Sequence, residues 1–339
     1  MAEQNPAQVP APKMPKEPAP AESRVAERAR HYATRYGYIL CGSFALHPLT
    51  LVRTLVQAGV EPIEPTVRTS YFGNKSLVYP GIFTYGKHIV SVDGWTGLFR
   101  GSIPQALYAV LTQAGIDFMA MPVHNFVFAY LKKVLPPGPD VPDNEEGVYN
   151  IHFGIRRAFR RSVKSTLLTL SVFTVCHPFR VIAVRSMVQF DGRETMYNSI
   201  ISAVKEIYNN EGIYGFFAGL TPLILCRIGT GFIQHFLLFI LEQAMHHWVP
   251  EHLHESYKAF KEVFATFVSG HIMYPLQLIT TMMIINDSGL KASRQIDTPI
   301  FGSLTSCYSY LSQRGIRYRG SNIFFNRTQI PSNHSKLLY

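Results

Sequence analysis

The sequence is poor in charged residues, since Asp, Glu, Lys and Arg make up 16% of its 339 residues, against roughly a quarter in soluble domains. Hydrophobic residues make up 47%, yet the mean hydropathy is only +0.06. Lipid-facing helices alone would be more apolar, and a soluble chain would have to hide its long apolar runs elsewhere. The combination predicts an all-α membrane protein with a polar interior and soluble loops and tails.

Cysteine is also scarce, and chemical motifs are absent. The four cysteines stand singly, without the paired spacing of zinc or redox sites, which is typical of a reducing compartment. A histidine-rich stretch around His246 and His252 could hold a metal, although an interfacial loop is the favoured interpretation. There is no Walker loop, dinucleotide fingerprint or nucleophile–base arrangement. The sequence therefore predicts no enzyme activity, no metal and no cofactor. The cysteines are Cys41, Cys176, Cys226 and Cys307.

The charge that is present is mostly basic, with a formal net charge of +10. The Lys and Arg residues are scattered over helix ends and loops, and no nucleic-acid-reading motif accompanies them. Flanking basic residues are attracted to anionic lipid headgroups. This pattern favours membrane lipids over nucleic acid as the partner.

The first 30 residues lack the apolar core of a secretory signal and contain six prolines in their first twenty positions. Such a segment cannot bury enough apolar surface to fold, so residues 1–30 are predicted to be a disordered tail. Four glutamates argue against an acid-poor mitochondrial presequence. An organelle address would then reside in the internal helices.

Five apolar segments predict five membrane spans. Positions 263–286 carry no formal charge, and positions 101–131 carry only Asp117. Both reach the roughly 20 residues that a spanning helix needs. Three shorter uncharged runs, at 36–52, 165–179 and 228–241, reach that length if flanking basic residues snorkel or face a wet interior.

A motif centred on proline occurs three times and divides the chain into repeats. Each proline lies in an apolar helix and is followed by a short amphipathic helix, near 82–92, 197–210 and 301–313, and then by a glycine turn. The structural residues of this motif are Pro48, Pro178 and Pro275, with Gly101, Gly219 and Gly320. The predicted organisation is repeat 1 at 31–135, a linker at 136–152, repeat 2 at 153–250, a truncated repeat 3 at 251–325 and a basic tail at 326–339. The inserted loop 61–75 and the Pro-rich stretch 136–147 are interpreted as connectors or docking sites.

This module resembles the mitochondrial carrier repeat, over roughly residues 33–325. The stretches HPLTLVRTLVQAGVEP, PGIFTYGKHI, HPFRVIAVRSMVQFDGRE and EGIYGFFAGLTP resemble the mitochondrial carrier homolog family more closely. The resemblance implies a carrier-like helix bundle in the mitochondrial outer membrane, with several passes. It also implies insertion of α-helical membrane proteins, tail-anchored and signal-anchored ones included.

The gate charges of ordinary carriers are missing. In carriers, an acid two residues after the proline and a base five residues after it pair between helices. Here the acid positions hold Thr50, Arg180 and Gln277, and the base positions hold Arg53, Ala183 and Thr280. The second gate, an aromatic–acid pair followed by a base, is also absent. Gates without complementary charges cannot close by ion pairing, so alternating-access transport is not expected.

The third repeat is expected to lack its second spanning helix. The stretch after Gly320 has 19 residues, many of them polar, with Pro331 midway. Such a helix would barely cross ~30 Å of hydrocarbon. A six-helix barrel without this helix would be open sideways to lipid.

Polar residues inside the predicted spans are candidates for the lining of a groove, because such residues are costly in lipid. Gln113, His124 and Asn125 belong to this set on the second span. Some members of the set could have a different role: Arg185 and Glu242 could snorkel, and Gln113 or Asn125 could bond across helices. The predicted groove residues are Arg53, Asp117, Lys164, Arg180, Arg185, Arg227, Gln234, His235, Glu242, His271 and Gln277.

A polar groove open to lipid predicts an insertase for α-helical clients, possible apoptotic tail-anchored proteins among them. The groove would lower the cost of moving a client's polar end, and the open side would release its apolar helix. Three other functions remain open: a solute carrier, a receptor or scaffold for apoptotic or metabolic partners, and a lipid scramblase.

Overall fold

The structure, a computed structural model, describes residues 21–64, 66–69, 75–134, 151–248, 250–294 and 300–321. The predicted C-terminal tail and nearly all of the predicted linker lie outside these ranges, as do the first twenty residues. The helices are α1 (Ala21–Ala45), α2 (His47–Ala58), α3 (Ile82–Asp93), α4 (Ser102–Val134), α5 (Ile151–Val188), α6 (Ile200–Glu211), α7 (Leu220–Trp248), α8 (His254–Ile272), α9 (Tyr274–Ile285) and α10 (Leu304–Gln313). Strands β1 (Thr66–Thr69) and β2 (Lys75–Val78) form a hairpin between α2 and α3.

The motif prolines lie in the first helix of each repeat, and two of the three coincide with a bend. Pro48 and Pro275 occupy the first turn of α2 and α9, where a missing backbone N–H costs no hydrogen bond. The chain bends by 56° from α1 to α2 and by 56° from α8 to α9. Pro178 instead lies inside the continuous helix α5. Two of the three first helices are therefore broken at the proline, and one is not.

The three short helices predicted after the prolines are present as α3, α6 and α10. Helices α6 and α10 begin at Ser199 and Ser303, each of which forms a capping box with the residue three positions later. Such a box satisfies two backbone N–H groups at the helix start. Helix α3 begins after Gly81 without a side-chain cap.

The long helices pack in chain order. Helix α1 packs on α4, α4 on α5, α5 on α7, and α7 on α8. Among the described residues, α1 and α8 are not packed side by side, so each has a long neighbour on one side only. The C-terminal part of α5 packs against α2 and α9, which also pack on each other. The bundle is therefore drawn together at the end that follows the prolines.

The main hydrophobic core lies at this closed end. Leu55 of α2, Ile89 of α3, Val181 of α5, Ile207 of α6 and Ile284 of α9 are all fully buried. Burying one such side chain contributes roughly 1.5–3 kcal/mol. Contributions from three repeats meet in this core, which makes the closed end the best-packed part of the described chain.

Candidate spans are fewer than the five predicted. Within the described residues, segments Gly154–Val188 and Ile213–Met245 are long and apolar enough to cross a membrane, and the bent pairs α1–α2 and α8–α9 add two more if each is one span. Helix α4 is not among them, although its 33 residues would extend about 50 Å. The structure supports a helical carrier-like chain with up to four such spans.

The inserted loop contains a feature that the sequence did not indicate. Strands β1 and β2 pair antiparallel, with Thr66 opposite Val78. Two-stranded hairpins are marginal alone, and its connecting residues lie outside the described ranges.

Candidate functional site

Each repeat carries the same hydrogen bond between its proline motif and its glycine turn. The side chain just before the proline bonds to the carbonyl just before the glycine. This bond joins the turn, 41 to 53 residues away in the chain, to the first helix of its repeat. The three bonds join His47 Nε2 to the carbonyl of Arg100 (2.9 Å), His177 Nε2 to that of Ala218 (2.8 Å) and Tyr274 Oη to that of Arg319 (2.7 Å).

The glycine of each turn packs against the next repeat, and the third packs against the first. All three glycines have a positive φ, near +72° to +76°, which side chains rarely adopt. A Cβ at Gly219 would lie 2.8 Å from the carbonyl oxygen of Thr280, and one at Gly320 would lie 3.0 Å from Cγ of Gln57. The contacts close a ring: Gly101 lies near the carbonyl of Ala183, Gly219 near that of Thr280, and Gly320 near that of Arg53.

The first-gate positions of ordinary carriers, two and five residues after each motif proline, are not joined by ion pairs among the described residues. None of the ion pairs found there involves these six positions. Ala183 and Thr280 are fully buried. Arg53, the one base retained at its expected position, lies over the ring of Tyr274, with 5.4 Å between its guanidinium carbon and the ring centroid. The closed end is thus not held by the first-gate ion pairs of ordinary carriers.

Arg185 was predicted to line the groove, but the structure places it inside the closed end. Its side chain is fully buried and forms a bidentate pair with the Glu211 carboxylate, in which Nη2 lies 2.9 Å from Oε2. Its Nε also donates to the carbonyl of Ile284 at 3.0 Å. Bidentate pairing of this kind fixes geometry as well as charge. Arg185 therefore ties α5, α6 and α9 together and is not available to an open groove.

Arg319 holds the third turn against the first repeat. Its Nη2 donates to the carbonyl of Gln57 at 2.6 Å, and the Gln57 amide donates to the hydroxyl of Tyr274 at 2.9 Å. Among the described residues, Glu61 in the loop after α2 is the acid whose charge acts on Arg319. Burial raises the pKa of the Glu61 carboxyl to about 7, and the Arg319 charge opposes that rise. The carboxyl lies in a small pocket with Tyr79 and Tyr85.

Asp117 forms a polar cluster between α1 and α4. Its carboxylate lies 3.1 Å from Nη1 of Arg35 and accepts hydrogen bonds from the Tyr36 hydroxyl at 3.3 Å and the Gln113 amide at 3.1 Å. Acid and base compensate each other in this cluster, as a charge in a span requires. An apolar crevice of about 300 Å³ lies between the same two helices. Tyr36, Leu40 and other apolar residues line this crevice.

Two arginines lie near each other on α5 and α7 without a carboxylate neighbour among the described residues. The guanidinium carbon of Arg227 lies 3.8 Å from the centre of the Phe173 ring, a cation–π geometry. Its Nε is buried and has no hydrogen-bond partner within the part of the chain that the structure describes. Arg180 is half-buried and adds a like charge beside it. Within the predicted set, these two arginines bring two positive charges beside each other.

Three further candidates lie where α7 meets α8 or at the end of α8. The Gln234 amide donates to Thr266 at 3.1 Å, and Glu242 lies 3.9 Å from Nζ of Lys261. His271 is exposed, and its ring stacks 5.3 Å from that of Tyr318. The remaining candidates, Lys164, His235 and Gln277, are half-buried; the side chain of His124 lies outside the described set.

An aromatic stripe runs along α8 and was not predicted from the sequence. Phe260, Phe264, Phe267 and His271 recur at helical spacing, and the three Phe side chains are 56%, 40% and 71% exposed. Phe260 stacks with Phe264, and Phe267 with His271. The spacing i, i+4, i+7, i+11 marks one helix face and could have revealed the stripe.

Comparison with known proteins agrees with this architecture. The model of the family described as mitochondrial carrier protein matches residues 163–249. The chain is 32% identical over 284 residues to mitochondrial carrier homolog 2 of Mus musculus, covering 83% of this chain and 89% of the relative. It is 34% identical over 306 residues to mitochondrial carrier homolog 1 of the same species, covering 84% and 74%. A more distant relative, mitochondrial thiamine pyrophosphate carrier 1 of Neurospora crassa, is 24% identical over 295 residues.

The repeated motif and these matches define a protein of the mitochondrial carrier class, diverged from solute carriers at its gates. Within that class, the chain belongs to the mitochondrial carrier homolog family. This membership associates it with mitochondria.

Proposed function

We propose that this protein inserts α-helical segments into the mitochondrial outer membrane through the open side between α1 and α8. The observation that carries the proposal is that these two helices, within the described part of the chain, each have a long neighbour on one side only. In this proposal the chain has five spans: α1–α2, α4, α5, α7 and α8–α9. The proposal includes no sixth span after Gly320, while the third glycine turn still packs against the first repeat.

Polar groups in the two helix contacts next to the proposed opening, α1–α4 and α7–α8, support an insertion role. The Asp117 cluster lies between α1 and α4, and Gln234 and Glu242 have their partners on α8. A polar group moved into hydrocarbon without partners costs several kcal/mol. Helices that offer hydrogen-bond partners and water beside the opening lower this cost for a client's hydrophilic end. Lipid receives the apolar helix directly, so no nucleotide is required.

The fixed closed end argues against transport by alternating access. Carrier cycling requires contacts that break at one end and re-form at the other. Here the joints are backbone contacts at the turn glycines and the buried ion pair between Arg185 and Glu211. The named carrier of thiamine pyrophosphate is a more distant relative, at 24% identity.

The proposed partners are α-helical membrane-protein clients, tail-anchored and signal-anchored proteins in particular, with apoptotic tail-anchored proteins among them, and membrane lipids. Purified protein in liposomes is expected to raise insertion of a tail-anchored client above the level of protein-free liposomes. Solute exchange and lipid flip are measured in the same preparation. Insertion without solute exchange supports the proposal. Client binding without an insertion gain would indicate a receptor or scaffold and would overturn it, as would lipid flip or solute exchange without insertion.

A further inference from the structure

The chain contains two tryptophans, and each is exposed at one end of the bundle. Trp95 begins the 3-10 helix Trp95–Phe99, which directly precedes the first glycine turn, and its side chain is 76% exposed. Trp248 is the last residue of α7 and is 85% exposed. The first indole therefore belongs to the closed end, and the second to the opposite end.

Helix α7 measures the distance between these two ends. In repeat 2, the 3-10 helix Ile213–Phe217 precedes α7 as Trp95–Phe99 precedes α4, and Ile213, the equivalent of Trp95, is also exposed. The 29 residues of α7 extend about 43 Å at 1.5 Å per residue. A bilayer is about 40–45 Å thick when its headgroup layers are included. An upright α7 thus crosses one bilayer thickness between the levels of the two indoles.

The exposed side chains of α7 are those of a lipid-facing helix. Between Thr221 and Trp248, the exposed residues in the described set are Leu225, Phe236 and Ile240. All three are apolar, whereas a charged residue at this depth would be costly in hydrocarbon. The stretch between the two ends is therefore suited to contact with acyl chains.

Helix α5 indicates the same height for the second headgroup layer. Gly101 lies against the carbonyl of Ala183, so Ala183 is at the level of the glycine turns. Arg156 lies about 40 Å from Ala183 along α5, and its side chain is exposed. Basic residues near the ends of spanning helices are attracted to lipid headgroups. Two helices thus place an interfacial residue at nearly the same distance from the closed end.

We propose that Trp95 and Trp248 bind the phospholipid headgroup layers on the two sides of one bilayer and thereby set the depth of the bundle in it. Tryptophan is suited to this layer, because its ring is apolar and its N–H can donate to lipid carbonyl or phosphate oxygens. The Asp117 cluster, about 24 Å from Gly101 along α4, then lies at hydrocarbon depth. The inference goes beyond the proposed function, since it applies to any activity of the bundle in a bilayer.

Tryptophan fluorescence tests the depth of each indole. The variant Trp95→Phe leaves Trp248 as the one tryptophan of the chain, and Trp248→Phe leaves Trp95. Each variant is reconstituted into phosphatidylcholine liposomes whose acyl chains carry bromine, a quencher, either near the headgroup or near the chain end. Both variants are expected to lose more emission to the shallow bromines than to the deep ones.

A matched control places the indole in the middle of the same helix. Phe236→Trp, in a chain that also carries Trp95→Phe and Trp248→Phe, puts an indole at an exposed position of α7, about 18 Å along the helix from Trp248. This variant is expected to lose more emission to the deep bromines. The wild type, which carries both native indoles and needs no substitution, is expected to lose more to the shallow ones.

Bromolipid confined to the outer leaflet tests whether the indoles lie on opposite sides. In liposomes that hold the chain in one orientation, one of the two single-tryptophan variants is expected to lose emission and the other to keep it. Loss of emission in both variants, or in neither, would contradict two opposite headgroup layers.

Three further outcomes would overturn the proposal. The first is equal or greater quenching of Trp95 or Trp248 by the deep bromines. The second is an indole that aqueous iodide quenches as fully as free tryptophan, because such a ring lies in water. The third is an indole that neither bromine nor iodide reaches, because protein then covers it. No client is present in these measurements, so a failure of insertion in the separate assay leaves their result unchanged.

Discussion

The amide of Gln57 donates a 2.9 Å hydrogen bond to the hydroxyl of Tyr274, 217 residues later in the chain. The same hydroxyl donates to the carbonyl of Arg319 at 2.7 Å. The first helix of repeat 1 is thereby joined to both the proline motif and the glycine turn of repeat 3. The closed end is a complete ring although α1 and α8 do not meet within the described ranges.

Removing the Tyr274 hydroxyl is expected to loosen this joint. In Tyr274→Phe, the Gln57 amide and the Arg319 carbonyl each lose a partner in a buried region. An unsatisfied buried polar group costs about 1–3 kcal/mol. Thermal unfolding in detergent is expected to show a lower midpoint than wild type. The control Tyr308→Phe, at a 41% exposed ring on α10, is expected to change it little; equal effects would contradict the assigned role.

The glycine of the second turn is expected to tolerate no side chain. In Gly219→Ala, the new Cβ combines a φ of +72° with a 2.8 Å approach to a backbone oxygen. Backbone strain of this kind costs of order 1–3 kcal/mol. The variant Gly86→Ala is a control, because that glycine lies inside α3 with open space around it; alanine there is expected to be neutral or stabilising. Unfolding midpoints that rank the two variants in the opposite order would show that the turn is not a tight joint.

Arg185 is expected to act on stability through Glu211. The variant Arg185→Met leaves a carboxylate unpaired in a largely buried site, a change that costs about 3–5 kcal/mol where pairs are buried. Arg180→Met on the same helix is the control, and it is expected to cost less. In the double variant Arg185→Met/Glu211→Gln, stability is expected to recover in part. A double variant that unfolds more readily than Arg185→Met would contradict this pairing.

The Glu61 carboxyl is expected to make the protein less stable as the pH rises. Its pKa is about 7 in the folded protein against 4.5 ordinarily, so the folded state holds the proton more tightly than the unfolded state. The stabilisation by the proton is complete below the ordinary pKa and is lost as the pH rises through about 7, by at most about 3 kcal/mol. The charged and titratable side chains around this carboxyl are those of Arg319, Tyr79 and Tyr85.

The test of this pH dependence is unfolding in detergent from pH 5 to pH 8. Relative to Glu61→Gln, which cannot titrate, the wild type is expected to lose stability across this range. Glu64→Gln is the matched control on the same loop, where the side chain is exposed, and it is expected to keep the wild-type slope. Parallel curves for wild type and Glu61→Gln would contradict the assignment.

Local signals were sufficient for the repeats, because a proline and a positive-φ glycine each impose a backbone geometry that does not depend on distant contacts. Pro48 and Gly101 are examples. The Arg185 pair was not predictable in this way. Repeat 2 has Ala218 where repeats 1 and 3 have arginine, so the guanidinium reaches the turn acid Glu211 from α5 instead.

The partner of Arg319 was equally hidden from sequence reasoning. In repeat 1, Arg100 pairs with the turn acid Asp93, but repeat 3 has Arg314 at the acid position. Glu61 supplies the negative charge from another repeat, and it lies at the start of a loop whose fold no local pattern indicated. Substitutions that compensate across repeats leave no periodic signal.

The most direct test of the open side is to bridge it. Cysteines replace Tyr38 and Val263 in a chain whose native cysteines are replaced, and a bifunctional thiol reagent about one helix diameter long, roughly 10 Å, joins them in liposomes. Insertion of a tail-anchored client is then compared before and after bridging, with a chain carrying cysteines at Phe118 and Val175, both exposed, treated identically. Bridging is expected to lower insertion to the level of protein-free liposomes, while the control pair leaves insertion unchanged. Unaltered insertion through the bridged protein would contradict a route between α1 and α8.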